Sequence, residues 1–125
     1  MSGYPKFSDL LGETLSCVEK RGDDQLIFTL EEGQQFKLYH FQDCCESVTI
    51  EDIAGDLNDL VGVPILLAEE VSQTTNPEGI KPRYQDSFTW TFYKLATIKG
   101  AVTIRWYGTS NGYYSESVEF AETSS

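Results

Sequence analysis

Residues 87–108, "SFTWTFYKLATIKGAVTIRWYG", carry the pattern that decides the fold. Phe88, Trp90 and Phe92 alternate with Thr89, Thr91 and Tyr93; further on, Val102, Ile104 and Trp106 alternate with Thr103, Arg105 and Tyr107. A strand turns successive side chains to opposite faces, so two such runs predict neighbouring strands of an antiparallel meander. The first set of each run is expected on the core face. The stretch that follows, "TSNGYYSESVEF" (109–120), offers two hairpin registers. A two-residue Asn111-Gly112 turn would set Ile104 against Glu119. A three-residue Ser110-Asn111-Gly112 loop with Gly112 left-handed sets Ile104 against Val118 and Val102 against Phe120. The second matches apolar to apolar and is the expected one. It also places Arg105 diagonal to Glu119.

Upstream the signals are again mostly strands. "TLSCVEK" (14–20) and "QLIFTL" (25–30) flank the turn-forming "RGDD", and "QFKLYHF" (35–41) and "SVTIED" (47–52) follow. In "GDLNDLVGVP" (55–64), Asp56 caps a short helix carried by Leu57, Leu60 and Val61 and stopped by Gly62 and Pro64. "PILLAEEVS" (64–72) is a nearly continuous apolar run, expected as a central strand of the sheet. Residues 72–87, with Pro77 and Pro82, read as a long loop, and loops of that length tend to carry function. The expected fold class is α+β, mostly β: a curved antiparallel sheet or small barrel with one short helix. Residues 1–125 form a single domain with flexible ends at 1–12 and 121–125.

Hydrophobic residues make up 40% of the chain, enough apolar material to offset chain entropy. The formal charge of −11 sets the protein against nucleic-acid phosphates, so direct duplex binding is not expected; the charge reads first as solubility, and its sharper alternative is an acidic face that docks on a basic partner. No apolar stretch approaches the roughly 20 residues that span a bilayer, and "MSGYPKFSDLLGE" lacks the basic start and apolar run of a signal peptide. Three cysteines, Cys17, Cys44 and Cys45, fit free, partly buried thiols in a reducing compartment.

Two stretches are dense in chemistry. In "YHFQDCCESVTIEDI" (39–53), His40, Cys44 and Cys45 are the candidate metal ligands or thiol–imidazole pair. A closed Cys₃His site would need Cys17 as well, and adjacent cysteines on a strand point to opposite faces. The stretch therefore reads as a strand end, with no cofactor expected. No nucleophile elbow, phosphate loop or second histidine is present, which argues against catalysis. In "IRWYGTSNGYYSE" (104–116), Arg105, Tyr107, Asn111, Tyr113 and Tyr114 join Lys81, Arg83 and Tyr84 of the long loop as candidate binding residues. Arginine and tyrosine are common anchors of protein interfaces, and the same pair can hold a small nucleotide.

The strings "HFQDCCESVTIEDIAGDLNDLVGVPILLAEE" and "TWTFYKLATIKGAVTIRWYGTSNGYYSESVEF" resemble a small domain family encoded by bacteriophages and prophages. The resemblance covers about residues 37–120 and brings no catalytic residues with it. It implies a phage accessory protein acting in the host bacterial cytoplasm. The leading expectation is a non-catalytic protein that inhibits a host factor, most plausibly of antiviral defence, by occluding a protein surface or sequestering a nucleotide signal. Self-association is compatible with this. The alternatives are a virion decoration or accessory protein and a metal-dependent enzyme at the His-Cys-Cys stretch.

Overall fold

The computed structural model describes residues 5–40, 46–74, 87–110 and 118–123. A 3₁₀ turn at Phe7–Leu10 is followed by β1 (Leu15–Arg21), β2 (Gln25–Leu30), β3 (Gln35–Tyr39) and β4 (Glu46–Ala54). A second 3₁₀ turn, Leu57–Leu60, leads to β5 (Leu67–Gln73), β6 (Ser87–Thr97), β7 (Gly100–Ser110) and β8 (Glu119–Thr123). The fold is mostly β, as the alternation predicts. Its strands form two antiparallel four-stranded sheets, ordered β1-β2-β3-β8 and β4-β7-β6-β5. Among the described residues the two sheets stay separate, so the fold is an open sandwich and no barrel closes. No helix among these residues is long and apolar enough to cross a membrane.

One core lies between the sheets. Leu26, Phe28, Phe36 and Leu38 from the first meet Val48, Ile50, Tyr93, Leu95, Ile104 and Trp106 from the second. Full burial of each such side chain contributes about 1.5–3 kcal/mol before chain entropy is set against it. The expected short helix is the 3₁₀ turn at Leu57–Leu60. Asp56 caps it, its carboxylate accepting from the Asn58 amide at 2.9 Å. Leu60 drops into the core.

Three expectations are corrected. The first concerns the faces of β6. Thr91, Tyr93 and Leu95 stand opposite Trp106, Ile104 and Val102 and share their core face. Phe88, Trp90 and Phe92 therefore lie on the outer face with Arg105 and Tyr107. Both alternate sets of β6 contain large aromatics, so the period alone did not distinguish them; the cross-strand register does. Trp90 is nonetheless completely buried, outside the main core cluster.

The second is the last hairpin. β7 has β4 and β6 on its two sides, which leaves no edge for the C-terminal strand. That strand pairs with β3 instead, setting Phe120 opposite Leu38 and Glu119 opposite Tyr39. Phe120 stacks on Phe36 at 5.2 Å. The register neighbours of Arg105 are Asp52 and Phe92, and Glu119 belongs to the other sheet.

Third, β5 is an edge strand and not a central one. Its apolar appearance comes from Ile65, which is buried before the strand begins, and from Leu66 and Leu67, which are exposed. Near the two ends of the chain, the described residues pack and pair. Phe7 and Leu10 are buried, Phe7 contacting Phe28, Tyr93 and Phe120, and Ala121–Thr123 continue β8.

Candidate interaction surface

The outer face of the second sheet collects two of the residues expected to bind. Arg105 and Tyr107 point away from Val102, Ile104 and Trp106, as the alternation of β7 predicts. The Arg105 guanidinium carbon lies 5.4 Å from the Trp90 ring centroid, and the Tyr107 ring packs on Trp90 at 4.4 Å with a 46° tilt. Phe88 extends this array, 6.3 Å from Tyr107. A cation over an indole face is attracted by the ring quadrupole, and the arginine stem buries apolar area as well. The Arg105 Nε is buried and makes no hydrogen bond to any described residue. A bulge in β4 between Ile50 and Asp52 keeps Ile50 opposite Trp106 while bringing Asp52 opposite Arg105. Lys81, Arg83, Tyr84, Asn111, Tyr113 and Tyr114 lie outside the described residues.

The His-Cys-Cys stretch shows one polar contact. His40 Nε2 and Glu46 Oε2 are 2.9 Å apart, with both side chains almost wholly buried. They tie the end of β3 to the start of β4. Cys44 and Cys45 lie outside the described residues. Cys17 is exposed on β1 opposite Thr29, which pairs with Gln35 at the start of β3. His40 stands five residues further on, about 16 Å of extended chain, so Cys17 and His40 do not share a metal ion. No group of three or more His, Cys, Asp or Glu gathers among the described residues.

A third feature, at the β5 edge, gave little warning in the sequence. Five large apolar side chains are exposed among the described residues: Leu11, Leu66, Leu67, Val71 and Ile98. Backbone pairing brings the segments that carry them side by side on this flank of the second sheet. Gly12, next to Leu11, donates to the Ile65 carbonyl at 2.8 Å, and Leu66 donates to the Ala96 carbonyl at 2.7 Å, two residues before Ile98. Leu67 faces Ala96, and Val71 carries the border along β5 to face Phe92. Monomeric domains scatter such residues, and a gathering of them marks an interaction surface. The signal in the sequence was the adjacent pair Glu69-Glu70. Two neighbouring carboxylates put one charge on each face of a strand, which is a property of edges.

Beside this border a cleft of about 380 Å³ opens between the sheets, lined by Lys6, Phe7, Ala68, Glu70 and Phe120 among others. Glu70 stands opposite Tyr93. The Tyr93 hydroxyl is buried and has no hydrogen-bond partner of good geometry, so Glu70 acts on it chiefly through charge. Burial raises the Glu70 carboxyl above the usual glutamate range, against a weaker opposite pull from the Tyr93 hydroxyl. Burial first, and the Glu70 charge second, push the Tyr93 phenol well above its ordinary value.

No curated protein and no solved structure matches the chain. One family does, over residues 8–120, from the first 3₁₀ turn into β8. The chain belongs to the family described as "Domain of unknown function (DUF7448)".

Proposed function

We propose that the protein is a non-catalytic binding module that works by covering a surface of a partner protein. In this reading it is a phage accessory factor in the host cell, and the partner is a host protein, most plausibly one of antiviral defence. The observation that carries the reading is the set of exposed apolar side chains at and beside β5: Leu66, Leu67 and Val71, with Ile98 in the turn between β6 and β7. The charge of −11 adds to it, since an acidic surface accelerates encounter with basic partners and discourages self-association. Occlusion requires only such a complementary surface.

The test is capture from host lysate with the immobilised full chain, beside a Leu66→Ser, Ile98→Ser double variant that melts like the wild type. One stoichiometric protein held by the wild type and released by the double variant is the expected result. Retention of the same protein by both would move the interface away from β5. Recovery with phage particles instead would replace the reading with a virion role.

A further inference from the structure

The cleft beside β5 has walls of two kinds. Phe7 and Phe120 form an apolar corner, their rings meeting at 5.7 Å and 82°. Neither ring is free to swing away. Phe7 also packs on Tyr93 at 4.7 Å and on Phe28 at 6.2 Å, and Phe120 stacks on Phe36 at 5.2 Å. The 3₁₀ turn Phe7–Leu10 lies against β5 and holds this corner beside the strand. The space between them exists because the core face of β5 carries Ala68 and Glu70 opposite the larger Leu95 and Tyr93.

The other wall is polar and incomplete. Glu70 stands on the core face of β5, yet stays exposed through the cleft. No ion pair reaches it among the described residues, although Lys6 also lines the cleft. Opposite it the Tyr93 side chain is completely buried, and its hydroxyl makes no hydrogen bond of good geometry. A buried hydroxyl without a partner is costly, as is a carboxylate drawn from water without a counter-charge. A protonated amine satisfies both, since it brings a positive charge and three N–H donors. The corner of Phe7 and Phe120 offers its hydrocarbon body a place out of water.

We propose that this cleft is a binding site for an alkylammonium group. The ammonium sits between the Glu70 carboxylate and the Tyr93 hydroxyl, and the alkyl chain lies in the corner of Phe7 and Phe120. A volume of about 380 Å³ admits a small free amine or the end of a lysine side chain, and both present the same chemistry. None of Leu66, Leu67, Val71 and Ile98 lines the cleft, so the site stands apart from the surface that carries the reading above.

The probe is butylammonium, titrated into the full chain and followed by two-dimensional amide NMR, with 1-butanol as its uncharged counterpart. The expected result is saturable shifts concentrated at Phe7, Ala68, Glu70 and Phe120, with 1-butanol binding at least about tenfold more weakly because it lacks the charge. Glu70→Gln keeps the size of the side chain and should weaken butylammonium by about tenfold, leaving 1-butanol unchanged. Tyr93→Phe should weaken butylammonium several-fold. Of the cleft's lining residues only Lys6 and Glu70 ionise, and Tyr93 faces Glu70 from β6. Affinity should therefore rise with pH as Glu70 loses its proton, since only the carboxylate attracts the cation. Equal binding of butylammonium and 1-butanol, an affinity unchanged in Glu70→Gln, shifts spread over other acidic regions, or no saturable binding would each overturn the proposal. A lysine capped at both ends distinguishes the two sources. Binding at least as tight as that of butylammonium assigns the site to a lysine of a partner protein, and weaker binding assigns it to a free amine. Loss of the captured host protein from the Leu66→Ser, Ile98→Ser variant bears on the functional reading alone, and butylammonium binding at Glu70 bears on the cleft alone.

Discussion

Trp90 shows how much one side chain can decide on the less obvious side of a sheet. It is fully buried on the outer face, beneath Arg105 and against Tyr107. Trp90→Ala should cost about 3–5 kcal/mol, because a large ring is removed from a filled site. Arg105→Met keeps most of the stem and loses the charge; its cost should be about 1–2 kcal/mol, the scale of a half-buried cation–π contact. Urea melts of both variants check the pair of values, and equal costs would mean that the array is held by charge and not by packing. Glu70 gives a prediction in pH. Its folded carboxyl holds its proton to a higher pH than the unfolded one. Its contribution is therefore fully present below the ordinary glutamate range and is lost as pH rises through the raised value. Tyr93 from β6 and Lys6 across the cleft are the ionisable groups that face it. Glu70→Gln should gain in melting temperature over the wild type at pH 7 and show little difference near pH 4. The opposite ordering would contradict the partial desolvation of this carboxyl in the cleft.

Among the elements, the strands were legible and their partners were not. β2 and β6 match the expected runs end to end, because strand-forming composition and the turns that bound it are local. The Asp56 cap was legible too, because it acts within three residues. Which strand lies beside which depends on residues far apart in the chain. The expected β7 hairpin thus satisfied every local rule and still lost to β3, where Phe36 offered Phe120 a stacking partner. The candidate surface was half readable for the same reason. Arg105 and Tyr107 follow from alternation, while the β5 border becomes apparent only once β5 is known to be an edge. Turns at strand ends can be probed directly. Gly55 follows β4 with φ +110°, and a Cβ there would come within 2.5 Å of the Ala101 carbonyl oxygen and 3.2 Å of the Val102 Cα. Gly55→Ala should destabilise by roughly 2 kcal/mol or more, since backbone and not a movable side chain is in the way. Gly33→Ala is the control: it also has positive φ, but nothing lies within 4 Å of its Cβ position, so its smaller loss should measure the conformational cost alone. Thermal melts of the two variants give the difference.

For the molecule as a whole, charge and topology matter most. With 20 acidic and nine basic residues, the native state carries its own repulsion, so moderate sodium chloride should raise the melting temperature relative to low salt. A fall with salt would mean that attractive pairs dominate over this excess of negative charge. Topology has a different consequence. The chain lays down β1 to β3, leaves to build the entire second sheet, and returns with β8 to finish the first. Gln34 and Glu122, which join β3 to β8 by a side-chain bond of 3.0 Å, are 88 positions apart in the chain. Such long loops are slow to close, so this contact order points to folding on the millisecond-to-second scale. On the ribosome the delay is longer still. At a synthesis rate of about 5–20 residues per second, β3 would wait several seconds for its neighbour, with Phe36 and Leu38 beside an open edge. The nascent chain is thus open to mispairing at β3, a strand whose two edges are both paired in the finished protein.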